Sequence, residues 1–148
     1  MSDNIMYLLA ADPLAMPSVE RREWTELLVR NLCPGAHEIV VHADDLPELY
    51  LAMTNLEATY CPHCAANLDE WWPQAVDTWW KGGRRDLGAV VPCCREPTSL
   101  NELDYDWPQG FARFAIEILN PSHDLEPGEL DTISRAAGML LRVVWAHI

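Results

Sequence analysis

Two pairs of cysteines place the tightest constraint on how this chain can fold. Cys61 and Cys64 form a Cys-Pro-His-Cys motif, and Cys93 and Cys94 are adjacent further along the chain. A short extended stretch precedes each pair, and in both a proline lies beside a cysteine. Turns in two separate loops can bring thiolates from both pairs into one tetrahedron, with each sulfur about 2.3 Å from a metal ion. The spacing therefore predicts a metal site that takes its ligands from both pairs.

Over residues 59–95 this pattern resembles the zinc-ribbon and zinc-knuckle group of metal sites. The first half, residues 61–64, matches the usual motif of that group, whereas the second half departs from C-x-x-C because Cys93 and Cys94 are adjacent. The resemblance implies one structural zinc ion bound by both pairs, with His63 as the nearest substitute for one cysteine of the second pair. A closed site of four thiolates has no open position for water, so it stabilises a fold and does not catalyse a reaction. Iron also accepts this geometry.

The motif at residues 61–64 also supports a second interpretation, a cytoplasmic thiol-disulfide oxidoreductase. Cys-Pro-His-Cys is identical to the motif of strong thiol oxidants in the thioredoxin-like family. That resemblance implies that the first cysteine, here Cys61, lies at a helix N-terminus, where its thiolate is stabilised for disulfide exchange. The helix predicted after Asn67 would provide this N-terminus, and Val91-Pro92 would take the place of that family's cis-proline. This interpretation gives the second cysteine pair no role.

The charge of the chain is strongly acidic and unevenly distributed. The 148 residues carry 23 acidic and 10 basic side chains, for a formal net charge of −13. Residues 61–95 contain equal numbers of acids and bases, so the rest of the chain carries the whole surplus. Because such a surface repels phosphates, we do not expect direct binding to a nucleic-acid backbone. The charge leaves a small molecule, a basic protein or mimicry of a nucleic acid as possible roles, and the alternative is that it only keeps the protein soluble.

Composition restricts the class of protein further. Hydrophobic residues at 49% and charged residues at 22% are ordinary values for a globular domain. No apolar run is long enough for a membrane span, and the N-terminus, residues 1–4, lacks the positive region of a signal peptide. We therefore expect one cytoplasmic domain over residues 1–148 that makes no contact with a membrane. Cysteines in that compartment are metal ligands or reactive thiols more often than structural disulfides.

The first part of the chain predicts a β-α-β unit followed by a short helix. Residues 5–9 are apolar and suit a buried strand, and Ser18 can cap a helix that ends near Leu32. The β-branched residues at 38–42 predict a second strand. The apolar spacing over residues 46–53 predicts a short helix.

The middle of the chain predicts a tryptophan-rich insertion at residues 56–97. Four tryptophans follow a helical rhythm after Leu68, and that spacing favours packing into the core over display to a partner. Residues 56–60 and 87–91 are short extended stretches, each leading into a cysteine pair. The spacing of a serine and a glutamate at residues 99–102 is that of a capping box and predicts one helical turn.

The last part of the chain predicts a second β-α-β unit. Residues 111–119 alternate as in a half-buried strand, 127–137 have a helical stripe, and 140–146 form a closing strand. Two such units joined in one antiparallel sheet predict a ferredoxin-like α+β sandwich, with the zinc-bound insertion between its halves. The alternative is a looser α/β sheet that the strands of the insertion join.

One further stretch predicts contact with a partner. The sequence Asp-Tyr-Asp-Trp at 104–107 has neither strand nor helix period, and an acidic-aromatic loop of this kind suits protein recognition. The predicted contact residues are Asp104, Tyr105, Asp106 and Trp107. The sequence as a whole predicts a zinc-stabilised, acidic protein-interaction module, in its sharper form an inhibitor or immunity-type protein that binds a basic partner. The oxidoreductase is the alternative, and it alone makes the protein an enzyme.

Overall fold

The computed structural model describes residues 3–148 and contains a four-stranded antiparallel sheet together with helices and two small sheets. Residues 1 and 2, part of the predicted domain and of the N-terminus considered above, lie outside the described residues. In chain order the elements are β1 (Asn4–Ala10), α1 (Val19–Leu32), β2 (Glu38–Tyr50), β3 (Ala58–Tyr60), α2 (Trp72–Lys81), β4 (Gly88–Val90), β5 (Pro97–Ser99), a 3-10 turn (Leu100–Glu102), β6 (Asp104–Asp106), β7 (Gly110–Leu119), α3 (Pro127–Ala137) and β8 (Leu141–His147). Among residues 3–148, no helix has the length and apolar character needed to cross a membrane.

The four-stranded sheet has the order β2-β7-β1-β8, and each neighbouring pair is antiparallel. Helices α1 and α3 pack on one face of it, where the alternating residues Phe114, Ile116 and Ile118 of β7 meet Val29 of α1 and Ile133 of α3. All five are fully buried. The mixed α and β architecture with an antiparallel sheet is therefore confirmed.

The helix boundaries follow from capping. The Ser18 hydroxyl accepts the N–H of Arg21 at 3.2 Å, as predicted for the start of α1. Helix α3 begins with a reciprocal capping box between Glu126 and Glu129 and ends at Gly138, whose φ of +74° suits glycine. Local sequence is sufficient to define both helices.

The prediction of a short helix at residues 46–53 is wrong, because β2 continues to Tyr50. Glu48 pairs with Ala112 and Tyr50 pairs with Gly110, after an irregularity in the ladder that follows Ala43. Apolar spacing over so few residues fits a helix and a strand equally well, and pairing with β7 decides between them.

The strand predicted at 111–119 is confirmed, and Arg113 and Glu117, on the face turned away from the helices, are only partly buried, as the alternation predicted. Ala115 lies on the face turned away from the helices and packs with Leu9, Tyr50 and Val144 in a small separate cluster. Beyond the ends of these strands, the N–H of Ala52 donates to Oε1 of Gln109 at 3.1 Å and ties the chain after β2 to the chain before β7.

We call residues 51–109, which join β2 to β7, the connecting segment. Its strands form two small sheets, β3 with β6 and β4 with β5, so they do not join the main sheet as the alternative fold required. Its core, which we call the second core, is built around α2. The buried residues of the second core are Cys61, Leu68, Trp79, Leu87, Val91, Leu100, Leu103, Tyr105 and Phe111.

Candidate metal centre

The first turn of the site, residues 61–66, directly follows β3. The N–H of Cys61 donates to the carbonyl of Ala66 at 2.8 Å, and the N–H of Ala65 donates to the carbonyl of Cys61 at 3.0 Å. Ala65 has a φ of +64°, which the tight turn imposes on it. The N–H of His63 points inward and donates to Sγ of Cys61 at 3.3 Å. The backbone therefore wraps around the Cys61 sulfur.

The second turn, residues 91–96, follows β4 and repeats the hydrogen bonds of the first. The N–H of Val91 donates to the carbonyl of Glu96 at 3.2 Å, and the N–H of Arg95 donates to the carbonyl of Val91 at 3.0 Å. Arg95 has a φ of +61°, as Ala65 has in the first turn. The site is thus built from two backbone turns of the same kind.

Aligning the turns by these hydrogen bonds explains why the second cysteine pair is adjacent. Cys94 takes the position of Cys64, while Val91 takes that of Cys61. Cys93 takes the position of His63. The second turn therefore has a thiol at its third residue, where the first turn has one at its first residue. The sequence signal for this equivalence is the proline that comes second in both turns.

The four thiols converge in a geometry that suits one metal ion. All four Sγ atoms lie within 4.8 Å of one another, and among the described residues no histidine or carboxylate belongs to this group. The Cys61 and Cys94 sulfurs are 3.8 Å apart, and those of Cys64 and Cys93 are 3.3 Å apart. A tetrahedron with metal–sulfur bonds of about 2.3 Å has edges of about 3.8 Å. Both cysteines of the second pair therefore join the first, and the site is able to bind a metal ion.

The thiols differ in exposure and in acidity. Cys61 is 2% exposed, Cys94 is half-buried, and Cys64 and Cys93 are exposed. Burial raises the pKa of the Cys61 thiol, but hydrogen bonds from the backbone of Cys64 and His63 outweigh it and lower the pKa to about 6. Burial and hydrogen bonds with the neighbouring thiols raise the pKa of Cys93. The cluster therefore already favours one thiolate, the form that binds metals.

The site is anchored to the second core through residues that follow the first turn. Asp69 accepts the N–H of Thr59 in β3 at 2.8 Å, and the N–H of Leu68 donates to the carbonyl of Thr59 at 2.8 Å. These bonds fold the chain back onto β3 and bury Leu68 beside Cys61 and Val91. One side of the thiol cluster therefore faces the second core, and the other side faces solvent.

The predicted partner-binding stretch at 104–107 is only partly exposed. The prediction of a loop is wrong for Asp104–Asp106, which form strand β6 paired with β3. Tyr105 is buried in the second core, where its hydroxyl donates to the carbonyl of Leu100 at 2.6 Å and accepts the Trp72 indole N–H at 3.0 Å. Tyr105 therefore has a structural role. Asp104, Asp106 and Trp107 are exposed, and their contact with a partner stays a prediction.

The tryptophans of α2 divide between core and surface. Trp79 is buried against Phe111, with ring centroids 4.9 Å apart, while Trp80 is exposed. The guanidinium of Arg84 lies 4.8 Å from the centre of the Trp80 ring and donates to the carbonyl of Pro47 at 2.9 Å. Arg84 thus ties the connecting segment to β2, a contact that the sequence alone did not reveal.

Taken together, two like turns deliver four thiols to one tetrahedral site at the edge of the second core. No family model matches the sequence, and no curated protein or solved structure shows significant similarity to it.

Proposed function

We propose that this protein is a zinc-stabilised, acidic interaction module that binds a basic protein partner. The convergence of four thiols from two separate turns is the observation that carries the proposal. Four protein ligands fill a tetrahedral zinc ion and leave no position for water or substrate, so the ion would hold the turns together without catalysing a reaction. Cys61, Cys64, Cys93 and Cys94 would be its ligands.

We propose a ferredoxin-like arrangement for the rest of the chain, with residues 56–97 as the zinc-bound insertion. The units β1-α1-β2 and β7-α3-β8 support it, because each contributes one central and one edge strand to the order β2-β7-β1-β8. The helices of both units pack on the same face of the sheet. This would leave the insertion as a separate layer joined to the sheet through β2 and β7.

Charge and exposed apolar side chains support a protein partner. The surplus of 23 acids over 10 bases lies outside residues 61–95, on the sheet and its helices and on the remaining parts of the connecting segment, and would steer a basic partner towards the protein. On the outer face of α1, Trp24 and Leu27 are 63% and 59% exposed, one helical turn apart, with Glu20 and Glu23 beside them. An aromatic anchor with an acidic rim suits an inhibitor or immunity-type protein that covers a basic surface.

A thiol-disulfide oxidoreductase is the second candidate, and the pKa of about 6 at Cys61 is the observation that favours it. Two other observations weigh against it. The thioredoxin-like resemblance implies that Cys61 lies at a helix N-terminus, but helix α2 begins only at Trp72. Cys61 is also buried, whereas the nucleophile of disulfide exchange must be accessible to its substrate. The metal-bound module is therefore the better supported function.

The test begins with the native mass of untagged protein purified without chelator or reductant. One bound zinc ion per chain supports the structural site, and one bound iron ion would correct the identity of the metal. A metal-free mass reduced by two or four hydrogens would indicate disulfides and favour the oxidoreductase.

The partner is then sought in the native host by a pull-down at low salt. A basic protein that dissociates as salt rises supports the proposal, because screening weakens attraction between opposite charges. Failure to recover any basic protein at low salt would contradict it.

A further inference from the structure

A groove of about 530 Å³ runs between α2 and β4, apart from the thiol cluster. Trp71, Ala75 and Trp79 line its α2 side, and Asp86 and Val90 lie on the opposite side. The polar side chains of Gln74 and Thr78 also line the groove, so its walls combine aromatic and apolar groups with polar ones, as ligand sites do.

Trp79 lines the groove with a ring that is held in one place. Trp79 is 5% exposed, and its Nε1 has no hydrogen-bond partner among the described residues. By contrast, the Trp72 indole donates to the hydroxyl of Tyr105 at 3.0 Å. Packing of Trp79 against Phe111 holds the ring in place. A ligand in the groove would therefore meet a fixed aromatic ring, and the resonances of that ring can report its binding.

Strand β4 offers an unpaired edge along the same groove, since among residues 3–148 it pairs only with β5. The N–H of Leu100 donates to the carbonyl of Leu87 at 2.8 Å, and the N–H of Val91 donates to the carbonyl of Glu96. The backbone groups of Leu87 and Val91 therefore point towards the β5 side. Alternation in an antiparallel pair therefore directs the backbone groups of Val90 to the free edge. A short free edge beside an apolar groove is how proteins bind extended peptides by strand addition.

Charge selects the kind of peptide. Asp86 is the one charged residue that lines the groove, and no ion pair involves it among the described residues. Its Oδ1 accepts the N–H of Gly88 at 2.8 Å, which holds the carboxylate in place. A second copy of this chain, with its net charge of −13, would be repelled.

We propose that the groove between α2 and β4 binds an extended peptide segment that carries an arginine or lysine. The peptide pairs with the backbone of Val90, packs against the aromatic side of the groove at Trp71 and Trp79, and places its basic side chain at Asp86. This inference rests on the proposed function, because it identifies the part of a basic partner that the connecting segment recognises.

The test follows the Trp79 indole N–H by nuclear magnetic resonance in the metal-loaded full chain. The probe is an acetylated and amidated pentapeptide Thr-Val-Arg-Val-Thr, compared with versions that carry glutamine or glutamate in place of arginine. We expect the arginine peptide to shift the Trp79 signal and to bind about tenfold more tightly than the glutamate peptide. Asp86→Asn keeps an acceptor for Gly88 but lacks the charge, so this preference should fall to less than about threefold.

A matched pair of variants separates the groove from general effects of charge. Val90 and Val19 are 60% and 59% exposed, but only Val90 lines the groove. Val90→Lys should abolish peptide binding, and Val19→Lys should leave it at the wild-type level. A Trp79 signal that does not shift at millimolar peptide, or equal peptide binding by both lysine variants, would overturn the inference.

The inference and the proposed function fail in different ways. A basic protein partner that binds the Val90→Lys variant as tightly as the wild type removes the groove from recognition and leaves the proposed function standing. A wild-type chain that binds no basic protein, although the arginine peptide still moves the Trp79 signal, supports the groove and removes the proposed function.

Discussion

The four-stranded sheet and the connecting segment achieve order in different ways. Strands of the sheet are 7 to 13 residues long and bury a continuous apolar layer against α1 and α3. Every strand of the connecting segment has 3 residues, arranged in two-stranded sheets that are marginal on their own. Burial of apolar surface is therefore extensive in the sheet, and we expect the connecting segment, whose strands are shorter, to depend also on a cross-link between its two turns.

The two regions meet through apolar packing and a series of hydrogen bonds. Phe111 belongs to β7 but packs in the second core, and its N–H donates to Oδ1 of Asn101 at 2.9 Å. The same oxygen accepts from Arg142 of β8 at 2.7 Å. Arg84 makes the corresponding connection to β2 through Pro47. These contacts position the connecting segment on the sheet, and they allow the stability of the two regions to be measured separately.

Removal of the metal should produce the largest difference in stability between the two regions. Metal binding contributes about 10–16 kcal/mol in small structural zinc sites, so chelation or Cys64→Ser should expose the amides of residues 51–109 to rapid hydrogen exchange and promote aggregation. Amides of β1 and β7 should stay protected. The control is Cys33→Ala, because Cys33 is buried in the core of the sheet and lies outside the thiol cluster.

Hydrogen exchange followed by mass spectrometry, with the metal content of each variant, measures this effect. Full stability of Cys64→Ser would show that the thiol cluster has no structural role. Loss of protection throughout the sheet would show that the two regions fold as one cooperative unit.

Matched core truncations should sharpen the contrast. Ile116→Ala in the sheet and Leu68→Ala in the second core remove buried side chains of similar size, each at a cost of about 2–5 kcal/mol. We expect Ile116→Ala to lower the urea midpoint of the whole chain. Leu68→Ala should accelerate exchange only within the connecting segment. Indistinguishable exchange patterns in the two variants would contradict the division into two regions.

Arg84→Lys should loosen the connection between the regions by about 1–2 kcal/mol, because lysine cannot reproduce the planar donor set. The guanidinium donates to the carbonyl of Pro47 and to Glu48 while it covers Trp80. Chemical denaturation of the metal-loaded protein measures the change, with exposed Arg85 as the site of a control Arg85→Lys substitution. A loss no greater than that of the control would rule out the connecting role.

Tyr50→Phe should have the smallest effect at neutral pH and a distinct effect in alkali. The Tyr50 hydroxyl is buried and has no hydrogen-bond partner among the described residues, so its removal should change the free energy of unfolding by less than about 1 kcal/mol. Burial, then the charges of Asp44 and Glu48, raise the pKa of Tyr50 above its usual value of 10.0.

Tyr50 ionises at a higher pH in the folded state than in the unfolded state. Its contribution to the free energy of unfolding is therefore present below pH 10 and is lost as the pH rises above it. Tyr50→Phe should therefore reduce the decline in stability above pH 10, measured by denaturation at a series of pH values. An unchanged alkaline decline would contradict the assignment to Tyr50.

Much of the fold could be predicted from sequence because its signals are local. Ser18 caps α1, Gly138 ends α3, and the alternating residues of β7 indicate a strand without reference to the rest of the chain. The errors, at residues 46–50 and 104–106, occur where short stretches fit several conformations. In both stretches, pairing with a strand distant in sequence decides the outcome.

By itself, the sequence determined which residues could form the site: four cysteines in two pairs, each beside a proline. Only the tertiary structure decided that the second turn repeats the first, with Val91 in place of a cysteine and Cys93 moved along the chain. It also decided that Tyr105 is buried and that Trp79 lines a groove. The physical reason is that spacing along the chain records local conformation, whereas burial and convergence depend on which distant segments pack together.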